Sequence, residues 1–175
     1  MGKFIFLTGG VRSGKSRFAV NMAKKISGDV TFIATCIPKD KEMKVRVEKH
    51  KKDRPAAWKT VEEEKDIASV LQSLGGKDAV AIVDCLTLLI SNLLISGSSE
   101  REIINKIKEI VEATKQSTHT VIIVSNEVGC GIVPDSELGR KFRDITGSAN
   151  QLVAAGASEV YFTVSGIPIK IKGDD

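Results

Sequence analysis

The sequence predicts an α/β fold, with helices on both faces of a mostly parallel β-sheet. Short apolar runs alternate with helical patterns along the chain: residues 3 to 8, 30 to 35, 79 to 84, 120 to 125 and 159 to 164. Unbroken apolar runs of this length are typical of strands buried on both faces, and the helices between them supply the crossover connections. Because no linker rich in proline, glycine or serine divides the sequence, residues 1 to 175 are predicted to form one domain.

Two of the predicted helices differ in how their apolar residues are distributed. Between Ser99 and Lys115, isoleucines recur at helical spacing among charged residues, which predicts a surface helix with one apolar face. Residues 86 to 96, in contrast, are apolar nearly all round. Because this segment is too short to span a bilayer, it is predicted to lie in the core or in a subunit interface.

The composition indicates a cytoplasmic protein that does not bind nucleic acid. Only 5% of the residues are aromatic, which is low for a protein that stacks bases along a strand. The 3 cysteines lie far apart without metal-ligand spacing, as reduced thiols do. Residues 1 to 10 do not resemble a signal peptide, and no apolar segment approaches the roughly 20 residues that span a membrane.

The positive charge of the chain is concentrated in one segment. Lysine and arginine number 26 against 22 acidic residues, a formal net charge of +4. Residues 39 to 54 account for this whole surplus, since they contain 8 cationic and 4 anionic side chains. A confined cationic patch favours a small anionic ligand such as a polyphosphate over a long nucleic-acid track.

A phosphate-binding loop follows the first predicted strand. The segment GGVRSGKS fits the pattern G-x-x-x-x-G-K-[ST], in which backbone N–H groups surround phosphate, the lysine reaches the β and γ phosphates, and the hydroxyl ligates Mg²⁺. A glycine turn that binds nothing is the alternative, but the position between a strand and a helix argues against it. The predicted nucleotide contacts in this loop are Gly9, Gly10, Val11, Arg12, Ser13, Gly14, Lys15 and Ser16.

Three further sites have both a functional and a structural interpretation. Asp84 ends a strand and could complete a Mg²⁺ site with Ser16, although an aspartate there is also a common turn or cap residue. Asn126 and Glu127 follow another strand and could orient a nucleotide or its acceptor, or simply form a turn. In the segment GRKFRDITGSANQ, Arg140 and Arg143 could present their guanidinium groups to a phosphate, or tie subunits together in a structural network of ion pairs.

The ordered motifs resemble the bifunctional adenosylcobinamide kinase/adenosylcobinamide-phosphate guanylyltransferase family of cobalamin nucleotide-loop assembly. The resemblance extends over nearly the whole chain, in the order TGGVRSGKSRFA, FIATC, EMKVRVEKHKKDRPAAWKTVE, DCLTLLISNLL, SNEVGCGIVP, GRKFRDITGSANQ and VSGIPIKIK. The run H-K-x-x-R-P-x-x-W-x-T-x-E and the segment NEVGxGIVP are far more specific than the phosphate loop. Lys49 stands where some relatives have a second histidine.

This resemblance implies a fold, an assembly and a set of site residues. The family has the RecA-like fold of P-loop NTPases and forms homotrimers, which would give the apolar helix at 86 to 96 an interface role. The histidine corresponding to His50 becomes covalently guanylylated. The resemblance further implies nucleotide contacts from Ile33, Ala34, Thr35, Lys51, Lys52, Asp53, Arg54, Glu62 and Asp84.

His50 also has a physical setting suited to a nucleophile. If residues 39 to 52 are helical, Met43, Val47 and His50 share one face of a cationic helix. Neighbouring cations disfavour the imidazolium and would neutralise charge on a departing pyrophosphate. A solvated charged helix explains the lysines equally well. The other histidine, His119, lies between a helix and a strand and is predicted to be a surface residue.

The predicted function is therefore two transfer reactions on one polypeptide, with ATP or GTP as substrates. The first phosphorylates adenosylcobinamide, and the second passes GMP from GTP through His50 to give adenosylcobinamide-GDP. One alternative is a single-activity P-loop kinase for another small alcohol, which would not need His50. Another is a P-loop ATPase or switch stimulated by nucleic acid, against which the low aromatic content and the confined basic patch argue.

Overall fold

The computed structural model describes residues 2–26, 29–36, 38, 41, 45, 51, 54–75 and 79–174. Within them, strands and helices alternate over most of the chain. The strands are β1 (Phe4–Gly9), β2 (Val30–Ala34), β3 (Lys59–Glu62), β4 (Val80–Asp84), β5 (Thr120–Val124), β6 (Glu159–Val164) and β7 (Ile167–Lys172). The helices are α1 (Lys15–Ile26), α2 (Ile67–Ser73), α3 (Leu86–Ile95), α4 (Glu100–Gln116) and α5 (Glu137–Gly156).

The strands form one mostly parallel sheet, as the sequence predicts. Their order is β3-β2-β4-β5-β1-β6-β7, and every pair is parallel except β6 with β7. The five predicted strands are all present and correspond to β1, β2, β4, β5 and β6. β3 and β7, which the apolar runs did not predict, lie at the two edges of the sheet.

Helices cover both faces of the sheet, which confirms the predicted α/β class. On one face α1 packs through Ala19 and Ala23 onto a core cluster that includes Ile5, Leu7 and Phe32. On the other face α2, α3, α4 and α5 pack onto a cluster built on the remaining inward-facing strand residues. Since strand residues alternate between the two clusters, each central strand is buried on both sides.

The apolar helix α3 lies in the core of the protomer. Leu86, Leu89 and Ile90 are fully buried on one side, and Leu88 packs against the cluster on the other. This double contact explains why the segment is apolar nearly all round. Of the two predicted locations, the structure supports the core, and Ile95 at the end of the helix is exposed.

One prediction about the amino edge of the sheet is wrong. His119 is buried, with 3% of its surface exposed, although its position between α4 and β5 predicted a surface residue. The backbone before β1 lies against it, since a Cβ at Gly2 would stand 1.8 Å from the His119 carbonyl oxygen.

Among the described residues, no helix has both the length and the apolar character needed to cross a bilayer.

Candidate active site

The predicted site residues converge on the carboxyl edge of the sheet. Parallel neighbouring strands end at the same edge, so the residues that follow β2, β4, β5 and β1 lie side by side. These are Thr35, Asp84, the pair Asn126 and Glu127, and the loop that begins at Gly9. The helix α1 begins at Lys15, so its positive end also points to this edge. The edge therefore collects groups suited to binding phosphate.

The phosphate loop has a backbone that glycine alone allows at two points. Gly9 has a φ of 145° and Gly14 a φ of 97°. A Cβ at Gly9 would also lie 2.4 Å from the carbonyl oxygen of Thr163 on β6, which is closer than any real Cβ contact. Within the loop the Ser13 N–H donates to the Gly10 carbonyl, while Val11 and Arg12 are exposed. The conformation of the loop thus requires glycine at the two positions where the sequence pattern has it.

A hairpin turn supports the phosphate loop from the side. Ser165 and Gly166 connect β6 to β7 with φ values of 50° and 86°, as in a two-residue hairpin. The Gly166 N–H donates to the Ser13 carbonyl at 2.9 Å, and a Cβ at Gly14 would lie 3.2 Å from the Gly166 Cα. The sequence analysis did not predict this contact, although the Ser-Gly pair before β7 is a turn signal.

Lys15 is held inside the loop. Its side chain is only 6% exposed, and Nζ donates to the Gly10 carbonyl at 2.6 Å and to the Ser13 hydroxyl at 3.4 Å. Burial lowers the pKa of Lys15, and the nearby Cys85, Asp84 and Glu127 oppose that shift. The acidic side chains at the ends of β4 and β5 are therefore near enough to act electrostatically on the ammonium group.

Glu127 is fixed by a network of neutral side chains. Its Oε1 accepts from the Thr8 hydroxyl at 2.7 Å and from Asn150 Nδ2 at 2.8 Å, and its N–H donates to the Gly9 carbonyl at 3.0 Å. The same Asn150 amide donates to the Asn126 carbonyl. Thr8 and Asn150 were missed by the sequence analysis. A threonine at the end of an otherwise apolar strand was the available signal.

Thr35 connects β2 to the turn after β4. Its hydroxyl accepts from the Cys85 N–H and donates to the Cys85 carbonyl, both at 2.8 Å. Asn92 Nδ2 donates to the Thr35 carbonyl at 2.9 Å. Of the neighbouring predicted contacts, Ile33 is fully buried in the core and Ala34 is 9% exposed. The hydroxyl of Thr35 is thus occupied in holding the two strand ends together.

The described members of the histidine-containing motif lie beside β2 and β3. Lys51 Nζ is 3.3 Å from Glu62 Oε1 at the end of β3. The Arg54 guanidinium lies 3.4 Å from the centre of the Phe32 ring, a cation–π contact. His50, Lys52 and Asp53 lie outside the described residues, as do Met43 and Val47. Of this motif, the structure therefore describes Lys51 and the residues from Arg54 onward, and His50 itself is outside the described residues.

The oxygen groups at this edge fit a magnesium ion. Ser16 is the second residue of α1, and Asp84 is close enough to Lys15 to affect its pKa. Mg²⁺ usually takes one or two carboxylates together with phosphate oxygens and water, so it does not need a cage of protein ligands. In the described part of the chain, no group of three or more histidine, cysteine or acidic side chains forms such a cage.

The arginines of α5 differ in what they contact. Arg140 Nη1 donates to the carbonyls of Pro134 and Asp135, at 3.1 and 2.6 Å, and so fastens the loop before the helix. Arg143 Nε lies 3.8 Å from the Asp144 carboxylate. The contacts of Arg140 favour a structural role for that residue, whereas Arg143 approaches only its neighbour in sequence among the described residues.

The fold and the site define a P-loop nucleotide-binding protein of RecA-like architecture. A protein of Pyrococcus horikoshii OT3 has a similar structure, with a TM-score of 0.61 at 10% identity over 99% of this chain and 88% of that one. A KaiC-like protein of the same organism has a TM-score of 0.54 at 17% identity, over 92% and 70% of the two chains. At such low identity these similarities show the fold alone.

The family follows from closer relatives. A model described as cobinamide kinase / cobinamide phosphate guanyltransferase matches residues 5–171, and the chain belongs to this family of transferases. The bifunctional adenosylcobalamin biosynthesis protein CobU of Escherichia coli (strain K12) is 38% identical over 180 residues, covering 96% of this chain and 99% of that protein. CobU of Salmonella typhimurium is 39% identical over 183 residues, with the same coverage. CobP of Pseudomonas aeruginosa is 38% identical over 168 residues, 96% of each chain. The predicted family is confirmed.

Proposed function

We propose that the chain phosphorylates adenosylcobinamide with ATP or GTP and then joins GMP from GTP to the product through His50. The observation that carries the first reaction is the phosphate loop, in which the buried Lys15 Nζ is held by the Gly10 carbonyl and the Ser13 hydroxyl at the start of α1. The family's two activities, kinase and guanyltransferase, support the pair of reactions. The final product is adenosylcobinamide-GDP.

In the kinase step, the loop from Gly9 to Ser16 binds the phosphates of the nucleotide. When the nucleotide binds, Lys15 Nζ leaves the Gly10 carbonyl and donates hydrogen bonds to oxygens of the β and γ phosphates instead. Because Lys15 is buried, its charge acts on those oxygens in a medium that screens it less than water does. Catalysis in this step consists mainly of positioning and charge neutralisation.

Ser16 and Asp84 would hold Mg²⁺ at this site. When bound, the ion neutralises charge that develops on the β and γ phosphate oxygens. Ser16 would contribute its hydroxyl and Asp84 its carboxylate, both of which are the hard oxygen ligands that Mg²⁺ prefers.

In the transferase step, a ring nitrogen of His50 attacks the α-phosphorus of GTP and pyrophosphate leaves. The phosphate of the phosphorylated corrinoid then attacks the same phosphorus, the phosphorus–nitrogen bond breaks, and His50 is regenerated. The cations that follow His50 support this assignment, since Lys51 and Arg54 would stabilise the departing pyrophosphate. We assign further nucleotide contacts to Ile33, Ala34, Thr35, Lys51, Lys52, Asp53, Arg54, Glu62 and Asp84.

We further propose that the chain is a cytoplasmic homotrimer. Ile167, Ile169 and Ile171 alternate along the edge strand β7 and are each at least half exposed, which is unusual for an apolar strand face unless another chain covers it. This surface replaces α3 as the candidate subunit interface, since α3 is covered within the protomer. A cytoplasmic location is supported by Cys36, Cys85 and Cys130, all described residues, which form no disulfide.

The test is covalent labelling. Purified protein is incubated with Mg²⁺ and GTP labelled at the α-phosphate, and acid-labile label and intact mass are measured for the wild type and for His50→Ala. Label on the wild type that is absent from the variant is the expected result. His119→Gln serves as the matched control, because it removes the other histidine from the opposite edge of the sheet and should leave the label unchanged.

Two other results would change the proposal. Wild-type protein that phosphorylates the corrinoid and stays unlabelled, even with the corrinoid present, would reduce the function to that of a single-activity kinase. Turnover stimulated by DNA or RNA, with no phosphorylation of the corrinoid, would instead indicate a nucleic-acid-dependent ATPase.

A further inference from the structure

Glu127 presents one oxygen to the protein and keeps the other available. Its Oε1 accepts both side-chain hydrogen bonds, from Thr8 and from Asn150. Its Oε2 accepts no hydrogen bond from any residue in the described part of the chain, and the residue is half-buried. A carboxylate held by one oxygen has a fixed direction while its second oxygen can accept a proton.

Glu127 lies beside the phosphate loop. The Glu127 N–H donates to the carbonyl of Gly9, the first residue of the phosphate loop. Its charge also reaches Lys15, whose Nζ is the group that would contact the γ-phosphate. Since β5 lies between β4 and β1, Glu127 stands between Asp84 and the loop itself.

The partners of Glu127 distinguish it from a structural ion pair. Both donors to Oε1 are neutral groups, a hydroxyl and an amide, and no cation among the described residues lies within hydrogen-bond distance of the carboxylate. Asn150 is 6% exposed, and its amide reaches Glu127 from the buried side of α5. Thr8 and Asn150 therefore orient the carboxylate without neutralising it, as a proton acceptor requires.

We propose that Glu127 is the catalytic base of the kinase step, a role that rests on the kinase function proposed above. It accepts the proton of the aminopropanol hydroxyl of adenosylcobinamide. As the hydroxyl oxygen forms its bond to the γ-phosphorus, the O–H bond breaks and the proton passes to Glu127 Oε2. The bond from the γ-phosphorus to the bridging oxygen breaks, and the nucleoside diphosphate leaves with that electron pair. Thr8 and Asn150 are positioning residues for this carboxylate.

The decisive variant is Glu127→Gln. Its side-chain oxygen can still accept from Thr8 and Asn150, so the variant removes the proton acceptor with little change in shape. We expect kcat for corrinoid phosphorylation to fall by about 10²- to 10⁴-fold. The KM for the nucleotide should stay within about threefold, because the lost interaction belongs to the transition state. Covalent labelling by GTP should persist. Glu109→Gln on the exposed surface of α4 is the matched control.

A second pair of variants tests the same role without removing the charge. Thr8→Val leaves the carboxylate and removes one of its two donors, so kcat should fall by less than in Glu127→Gln while the KM for the nucleotide holds. Glu127→Asp keeps a carboxylate with a shorter reach and should be more active than Glu127→Gln. Equal activity of the Asp and Gln variants would count against a proton transfer.

Three outcomes would overturn the assignment. If Glu127→Gln phosphorylates the corrinoid as fast as the wild type, Glu127 is not the base. If excess Mg²⁺ restores the variant, the carboxylate is a metal ligand instead. If the variant loses nucleotide binding and labelling together, its role is in forming the loop. Failure of the wild type to phosphorylate the corrinoid would instead reject the kinase function itself, so the two failures are distinguishable.

Discussion

The two edges of the sheet bury polar groups in different ways. At the carboxyl edge, the hydroxyls of Thr8 and Thr35 and the carboxylate of Glu127 have hydrogen-bond partners, whereas the buried hydroxyl of Thr163, opposite Gly9, has none among the described residues. At the amino edge, His119 is 3% exposed, and neither ring nitrogen has a hydrogen-bond partner among the described residues. Burial lowers the pKa of His119.

This difference bears on how substitutions at the two edges change activity and stability. A buried polar group costs free energy unless it is hydrogen-bonded, so each satisfied group at the carboxyl edge can be kept there at little cost. His119 brings a desolvation cost, and no described residue gives it a hydrogen bond to offset that cost. Substitutions that break a hydrogen bond at the carboxyl edge should therefore lower activity, stability or both, whereas substitution of His119 should change the free energy of unfolding and leave activity unchanged.

The largest effect is expected at Lys15. In Lys15→Met, kinase turnover should fall by at least about 10²- to 10³-fold, since a buried cation at the transferred phosphate is lost. The free energy of unfolding should not fall, because methionine does not bear the cost of desolvating a charge that burial imposes on the Lys15 ammonium group. Steady-state kinetics and urea denaturation would measure the two quantities. A large loss of stability would show that Lys15 serves mainly to hold the loop together.

A smaller effect is expected from the threonine hydroxyls. Thr35→Val should lower the free energy of unfolding by about 2 kcal/mol, because the N–H and carbonyl of Cys85 lose a buried partner.

Thr114 provides the matched control for Thr35. It is 4% exposed, and its hydroxyl has no hydrogen-bond partner in the described part of the chain. Thr114→Val should therefore be neutral or stabilising. Urea denaturation of both variants would decide, and equal destabilisation by the two substitutions would remove the distinction between the edges.

The smallest effect is expected from His119 and depends on pH. Because its pKa is lowered from 6.5 in the folded chain, the unfolded chain binds more protons as the pH falls below 6.5. Stability should thus decrease with falling pH in that window, by at most about 1.4 kcal/mol per pH unit for one proton. His119→Phe should flatten this part of the profile, as measured by denaturation between pH 5 and 8. An unchanged slope would assign the acid sensitivity to other groups.

The sequence predicted the parts of the fold that local patterns determine. The central strands are apolar because both faces are covered, so their runs were visible without a structure. The edge strands were not predicted: β3 is mostly exposed, and β7 alternates isoleucine with proline and lysine. Edge strands need no continuous apolar run, and this pattern is hard to distinguish from a loop.

The residues of the candidate site could likewise be predicted only where a local sequence pattern identifies them. The spacing of the phosphate loop follows from the chemistry of phosphate binding, so Gly9 to Ser16 could be found from the sequence. The contacts of Glu127 could not, because Thr8 and Asn150 are distant in sequence and meet it only when β1 and α5 pack together. His119 was assigned wrongly because the segment that covers its backbone, around Gly2, is equally distant.

The hairpin turn at Ser165 and Gly166 has a consequence for how the protein is made. Synthesis delivers residues 9–16 about 150 residues before the Gly166 N–H that braces Ser13. β1 likewise waits for its neighbours β5 and β6. A growing chain therefore holds its phosphate-binding motif without this support until the hairpin between β6 and β7 has been made, and nucleotide binding would report that these strands have joined the sheet.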